Sequence, residues 1–295
     1  MIHYTNCPIC NSELIQEQFT AQDFTVSQNK FPIWQCNNCT ARFTQNVPEQ
    51  NAIATYYTSD NYISHSDTKK GVINILYHLV RKRTLREKRR LVINETGVLK
   101  GFILDIGCGT GAFLDTMKEA DWAITGLELD TIARRKAAEL YNIHPQESSK
   151  LFELIPCSYH AISMWHVLEH VHALHNYIKQ IAELLAPNGK LFIAVPNYYC
   201  DDATTYKEYW AAYDVPRHLY HFSPQSMEKL LSIHGLKIIS IKPMWFDSFY
   251  VSMLSEQYKY GKVSMIKAIF NGLISNFKAW GDVRKCSSII YVISK

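Results

Sequence analysis

Residues 101–111 read Gly101-Phe-Ile-Leu-Asp-Ile-Gly-Cys-Gly-Thr-Gly111. Phe102 to Ile106 is a short apolar run broken by one acid, Asp105, and it predicts a buried parallel strand. Gly107, Gly109 and Gly111 then make a turn without side chains, where backbone can approach a ligand closely. Ala112-Phe113-Leu114 opens a helix whose N-terminus faces that ligand. A second strand, Trp122 to Glu128, ends in an acid about 20 residues past the glycines, the spacing at which a carboxylate meets a ribose diol in dinucleotide folds. Gly107, Gly109 and Ala112 also satisfy G-x-G-x-x-A, so a nicotinamide or flavin site competes. Asp105 tips the balance. A pyrophosphate gains nothing from an acid two residues before the first glycine, whereas a ligand with an ammonium or sulfonium centre does.

The chain has 295 residues, 47% of them hydrophobic, which suits one large core or one core with a small appendage. No run approaches the roughly 18 uncharged apolar residues of a membrane span. The start, MIHYTNCPIC, lacks a basic segment followed by an apolar stretch, so a cytoplasmic protein is expected. The net charge of +4 conceals one local excess: residues 81–90, RKRTLREKRR, carry +6, leaving −2 for the rest. Three readings of this run stay open: a solvated helix face, a phosphate-bearing or nucleic-acid partner, and an anionic membrane surface.

Cys7, Cys10, Cys36 and Cys39 form CxxC…CxxC. Two intervening residues let a tight turn aim both thiolates at one ion, and two such turns complete the tetrahedron that a closed structural zinc site requires. Between them lie Phe19, Phe24, Phe31 and Trp34, enough for a few small strands but not for an independent core. Zinc binding, worth about 10–16 kcal/mol in small modules, would supply the missing folding energy. Four buried, unligated cysteines are the alternative.

Beyond the glycines lie Tyr159-His-Ala-Ile-Ser-Met-Trp-His-Val-Leu-Glu-His170 and Leu185-Ala-Pro-Asn-Gly-Lys-Leu191, which resemble the fourth strand with its exit, and the turn before a fifth strand ending at Pro196-Asn197, of one methyltransferase family. With LDIGCGTG and Glu128, this series resembles the class I S-adenosylmethionine (SAM) methyltransferases over about residues 99–245, plus a last strand at Ser288–Ser294. The resemblance implies a Rossmann-like α/β fold, a seven-stranded sheet with helices on both faces, and a small zinc ribbon ahead of it. It implies that Asp105, Gly107, Cys108, Gly109 and Gly111 hold the methionine end of SAM and that Glu128, with Leu129 beside it, holds the ribose. Trp165 and His166 would lie along the cofactor, and S-adenosylhomocysteine (SAH) would be the product. The acid that the family often places after its third strand has no clear counterpart in Gln146 to Phe152.

Residues 214–222, DVPRHLYHF, put Asp214, Arg217, His218 and His221 on one loop. Upstream lie Asn197-Tyr-Tyr-Cys-Asp-Asp202, then Tyr206, Trp210 and Tyr213, aromatic walls with a few polar groups that suit a small-molecule pocket. Ser223-Pro224 reads as a helix start with Phe222 and Met227 as its staple, and Gly235 as its end. His218 lies upstream of that start, and an imidazole accepts protons near neutral pH, so it is the candidate general base. His221 is divided between structure and site. Arg217 is divided between an anionic acceptor and an internal pair with Asp214. The loop also resembles the "W…DxPRHLxxFS" segment of a bacterial methyltransferase group, and a histidine segment of deoxysugar C-methyltransferases, which carry a zinc module and an additional C-terminal domain that has no counterpart here. A sugar or other hydroxylated metabolite is therefore the expected acceptor.

The domain reading is a zinc module over 1–50, a linker and basic helix over 51–98, and a methyltransferase domain over 99–295. Within the last, 246–285 carry a wide helical apolar face, from Val263 to Trp280, expected to be a lid or homodimer surface rather than a membrane contact. Two rivals remain: an RNA methyltransferase holding nucleic acid with its zinc module and basic helix, and an inactive zinc-ribbon interaction protein.

Overall fold

The computed structural model describes residues 1–57 and 72–295. Tyr62, in the expected linker, and the side chains of Val72, Ile75, Leu76 and Leu79, which carry the helical pattern after it, lie outside the described residues. In chain order the elements are β1 (Ile15–Gln22), β2 (Lys30–Cys36), β3 (Arg42–Thr44), α1 (Val72–Thr96), β4 (Phe102–Ile106), α2 (Ala112–Lys118), β5 (Ala123–Leu127) and α3 (Thr131–Tyr141). There follow β6 (Tyr159–Trp165), α4 (Leu174–Leu184), β7 (Leu185–Pro196), α5 (Asp201–Tyr206), β8 (Tyr220–His221), α6 (Pro224–Ile233) and β9 (Lys237–Pro243). The chain closes with α7 (Asp247–Tyr260), α8 (Met265–Gly281) and β10 (Ser288–Ser294).

The central sheet has the order β5-β4-β6-β7-β10-β9, with β4 parallel to both neighbours, and helices flank it. Six strands are formed among the described residues. Where a seventh is expected beyond β5, a single parallel bridge joins Leu127 to Gln146. The short reach from α3 through His144-Pro145 explains this, because proline has no N–H to extend a ladder. A smaller sheet, β1-β2-β3-β8, joins the N-terminal strands to the two residues Tyr220 and His221.

Contacts divide the chain into two units. One comprises Met1–Tyr62, Leu168–His175 and Ala194–Tyr291, the other Ile63–Val167, Asn176–Ile193 and Val292–Lys295. The core of the second unit packs Val92, Ile103, Leu114, Met117, Phe192 and Val292, which removes the alternate apolar faces of its strands and helices from water. The core of the first is aromatic: Phe31, Tyr206, Trp210 and Tyr213 pack with Ile33 and Val215.

The helix start read at Ser223-Pro224 is met closely. Ser223 caps α6 in a reciprocal capping box with Ser226, and Phe222 and Met227 are both buried. The segment 246–285 forms two helices, and α8 is inverted relative to an ordinary amphipathic helix. Its small residues Ala268, Gly272, Ser275 and Ala279 are buried, whereas Ile266, Phe270, Leu273, Phe277 and Trp280 are exposed. A Cβ on Gly272 would stand 2.7 Å from the Phe249 ring, so the small seam lets α8 lie close against α7. Among the described residues no helix is long and apolar enough to cross a membrane.

Candidate active site

The glycine loop follows β4 directly. Gly107 sits at φ +70°, and a Cβ there would lie 2.4 Å from Val167 Cγ2, so glycine is required by conformation and by space. At Gly109, φ +55°, a Cβ would meet no atom within 4 Å, and that side of the loop is open. Glu128, just past β5, ties the loop down: its Oε2 accepts from Gly109 N at 2.8 Å and its Oε1 from Asp130 N at 2.9 Å. A carboxylate oxygen has a second lone pair, so both can also accept from hydroxyls.

Asp105 is 1% exposed, and its Oδ1 accepts from Ser163 Oγ at 2.6 Å, across the β4–β6 register. Burial pushes its carboxyl up to about 7, against the opposing effect of the Ser163 bond. Such an acid is half ionised near neutral pH and gains from any cation brought beside it. Cys108 is buried and its thiol is pushed up by that burial, which makes it an inert wall. Leu129 is largely exposed. Trp165 stands edge-on to Phe113 at 5.3 Å, with Lys88 Nζ 4.2 Å from its ring centre, and its buried Nε1–H has no hydrogen-bond partner among the described residues. His166 follows in the left-handed region at φ +58°. Part of the basic run is spent inside this unit: Lys88 on Trp165, Arg89 on Glu119 and the Thr116 carbonyl, Arg83 on Glu87.

In the other unit, the loop 214–222 holds its polar side chains in different ways. The Arg217 guanidinium, 1% exposed, donates to Asp214 at 2.6 Å, to Asp23 at 3.1 Å and to the Tyr56 carbonyl at 2.9 Å. These bonds include the internal pair with Asp214, one of its two expected roles. Burial opposes both partners' ionisation, but the Arg217 bonds hold Asp214 below the usual carboxylate range, and backbone donors at Ser27 together with Arg217 hold Asp23 at about 2. His221 is held by a hydrogen bond from across the sheet. Thr44 Oγ1 donates to the His218 carbonyl at 2.7 Å and lies 3.0 Å from His221 Nε2, so the imidazole donates to that hydroxyl. Burial drives His221 well below the ordinary imidazole range, fixing it neutral.

His218 differs. Its Nδ1 is 2.8 Å from the Ala212 carbonyl, which can only accept, so Nδ1 carries the proton and Nε2 keeps its lone pair. That Nε2 is 4.0 Å from Asp214 Oδ2. His170 packs edge-on at 4.6 Å and has the same tautomer, its Nδ1 donating to the Arg217 carbonyl at 2.9 Å. Burial, reinforced by His218, lowers His170 to about 4. Glu169, His170 and His218 bring ligand-type atoms within 4.8 Å of one another.

A model of a methyltransferase domain matches residues 78–241, more than half of the chain. The chain belongs to this methyltransferase family. Its domain is of the class I, SAM-dependent kind. A ubiquinone biosynthesis O-methyltransferase of Idiomarina loihiensis is 23% identical to the methyltransferase over 172 residues, covering 52% of this chain and 69% of the relative. Another, of Photobacterium profundum, is 32% identical over 104 residues, 32% of this chain and 43% of the relative. The chain thus spans less than half the length of the second relative. Magnesium protoporphyrin IX methyltransferase of Synechocystis, solved with bound SAH, superposes with a TM-score of 0.52 at 15% identity, covering 83% of this chain and 99% of that one. That likeness is one of fold.

The methyltransferase also gathers its N-terminal cysteines. The four sulfurs lie within 4.8 Å of one another, with Cys7–Cys39 and Cys10–Cys36 each at 3.6 Å. Sulfurs about 2.3 Å from a central zinc stand about 3.8 Å apart in a tetrahedron, so the donor set fits that ion and is too wide for disulfides. Ile9 N and the Asn38 amide each approach a cysteine sulfur, at 3.4 and 3.7 Å, as outer-shell donors do.

The residue-level reading missed Ser163, Asp23, Thr44 and the role of His170. Each meets its partner across a long sequence interval: Ser163 through the β4–β6 register, Thr44 from β3, Asp23 from just past β1 and His170 from the turn Leu168–His170.

Proposed function

We propose that the protein transfers a methyl group from SAM to a hydroxyl oxygen of a small molecule, with His218 Nε2 as general base. The fixed tautomer of His218 carries this reading: with Nδ1–H committed to the Ala212 carbonyl, the lone pair on Nε2 is available to a hydroxyl proton. SAM, when bound, supplies an electrophilic methyl on a sulfonium. Asp105 would face that cation, Gly107 to Gly111 would admit it closely, and Glu128 would accept from the ribose hydroxyls. Trp165 and His166 would flank it. His218 Nε2 would take the acceptor's O–H proton as that oxygen gains the methyl group, and neutral SAH would be the leaving product. Asp214, held ionised by Arg217, stabilises the imidazolium that results. Arg217 and His221 position the loop. Relatives named for ubiquinone O-methylation support oxygen as the acceptor atom, whereas the sugar analogy rests on the histidine segment alone. Cys7, Cys10, Cys36 and Cys39 would hold one structural zinc.

The test is SAM binding by calorimetry together with SAH release from a panel of hydroxylated acceptors. His218→Gln should lower turnover about 10²–10⁴-fold with SAM affinity unchanged. Equal turnover in the variant removes His218 from the reaction, and failure to bind SAM removes the reaction itself.

A further inference from the structure

The unit that holds His218 also contains a cavity of about 720 Å³, the size of a drug-like ligand. It lies at the segment after β7, with β3 and the end of α8 contributing. Its walls are aromatic: Phe19, Tyr198, Tyr199 and Tyr213 line it, and Tyr199 is 59% exposed. Arg42 sits over the Tyr198 ring at 4.1 Å. Its Nε donates to Gln35 at 2.9 Å and its Nη1 to the Tyr213 hydroxyl at 2.8 Å. Nη2 has no hydrogen-bond partner among the described residues, so a rigidly held fork end remains for a ligand.

The charge of the lining is unbalanced. Lys278 is bonded to Asp201, and these two cancel. Arg42, Lys207 and Lys285 then face Glu208 alone, an excess of two positive charges. Lys207 and Lys285 are exposed and make no side-chain hydrogen bond or ion pair among the described residues. A carboxylate would neutralise half of that excess, whereas a phosphate ester carries about −1.5 to −2.

We propose that this cavity is the acceptor's anchoring site and that the acceptor is a phosphate ester or diphosphate of a hydroxylated small molecule. The proposal rests on the methyl-transfer reading above for the word acceptor, but not for the ligand chemistry. Arg42 Nη2 holds a phosphoryl oxygen in a fixed direction, the two lysines follow the remaining charge on mobile stems, and the exposed Tyr199 face takes a ring. The turn Ala211–Tyr213 joins this anchor to the base, since Tyr213 lines the cavity and the Ala212 carbonyl holds His218.

Calorimetric titration of the whole protein with phenyl phosphate, benzoate and phenol tests this without SAM. Phenyl phosphate should bind at least about tenfold more tightly than either of the others. It should weaken about tenfold in Lys207→Glu/Lys285→Glu, and again between low and high salt. SAM affinity, measured separately, should be unchanged in that variant. Equal binding of phenol and phenyl phosphate, or phenyl phosphate binding indifferent to the double substitution, overturns the anion site. Benzoate matching phenyl phosphate overturns the phosphoryl assignment. Loss of the methyl-transfer reading would appear instead as absent SAM binding, which these titrations do not use.

Discussion

Replacing Asp105 by asparagine should remove the pH dependence of one part of the molecule's stability. The carboxyl is buried and raised from 3.8 to about 7, chiefly by desolvation. Below the lower value both folded and unfolded chains are protonated at this site, so burial carries no ionic penalty. As pH rises past it, the unfolded chain loses its proton first, and folding is disfavoured by about 1.4 kcal/mol per pH unit until the folded group also ionises near 7. The full penalty is about 4 kcal/mol, of which about 2 falls between roughly pH 5.5 and 7. Asparagine keeps a carbonyl oxygen for the Ser163 hydroxyl and does not titrate. Urea unfolding of the cofactor-free protein, wild type against Asp105→Asn, should therefore show a stability difference that grows by about 2 kcal/mol in the variant's favour over that window and then levels. At the upper end of the window SAM affinity should fall in the variant, since a cation loses its carboxylate. A stability difference independent of pH between about 5.5 and 7 would refute the argument.

Other perturbations have distinct readouts. Gly107→Ala should weaken SAM binding at least about tenfold, combining left-handed strain of about 1–2 kcal/mol with the Val167 overlap, and adding Val167→Ala should recover part of the loss. Asp202, 1% exposed, accepts from Trp210 Nε1 at 2.7 Å and from the hydroxyls of Ser275 and Ser287 at 2.6 and 2.8 Å. Asp202→Asn turns an amide donor on one or more of these groups and should cost about 3 kcal/mol in denaturant unfolding, and a loss under 1 would contradict the network. Freshly purified protein should contain one zinc per chain by elemental analysis, and Cys36→Ser should lose it along with thermal stability. Metal-free fresh protein would reduce the four cysteines to packing.

Much of the second unit was legible because its signals are local. The run Phe102 to Ile106 and its glycines lie where periodicity and turn chemistry put them, and the last strand, Ser288–Ser294, which joins both units, lies where the family resemblance put it. The start of α6 was equally plain, since a cap, a first-turn proline and a staple all fall within six residues. The turn read at Leu185 to Lys190 is instead absorbed into β7, with only Asn188 left-handed, at φ +62°. What could not be read is what depends on distant partners. Arg217 meets Asp23 from 194 residues away, and His221 meets Thr44 from 177. Local sequence offered Arg217 only Asp214 or a ligand. The apolar face of α8, expected as a lid or homodimer surface, is exposed at Ile266, Phe270, Leu273, Phe277 and Trp280, and periodicity alone does not say which stripe turns inward.

The pairing of β8 with β3, Arg42 opposite His221 and Phe43 opposite Tyr220, bears on how such a protein can be inherited. The cysteine-bearing segment is not a detachable tag. Asp23, Arg42 and Thr44 brace the histidine loop of the same unit, and Tyr57 lies 3.0 Å from His170. A recombination event that exchanged the first fifty residues for those of a relative would import foreign partners for Arg217 and His221. The two stretches must therefore travel together, and a working chimera would have to graft 1–57 and 210–223 as one piece.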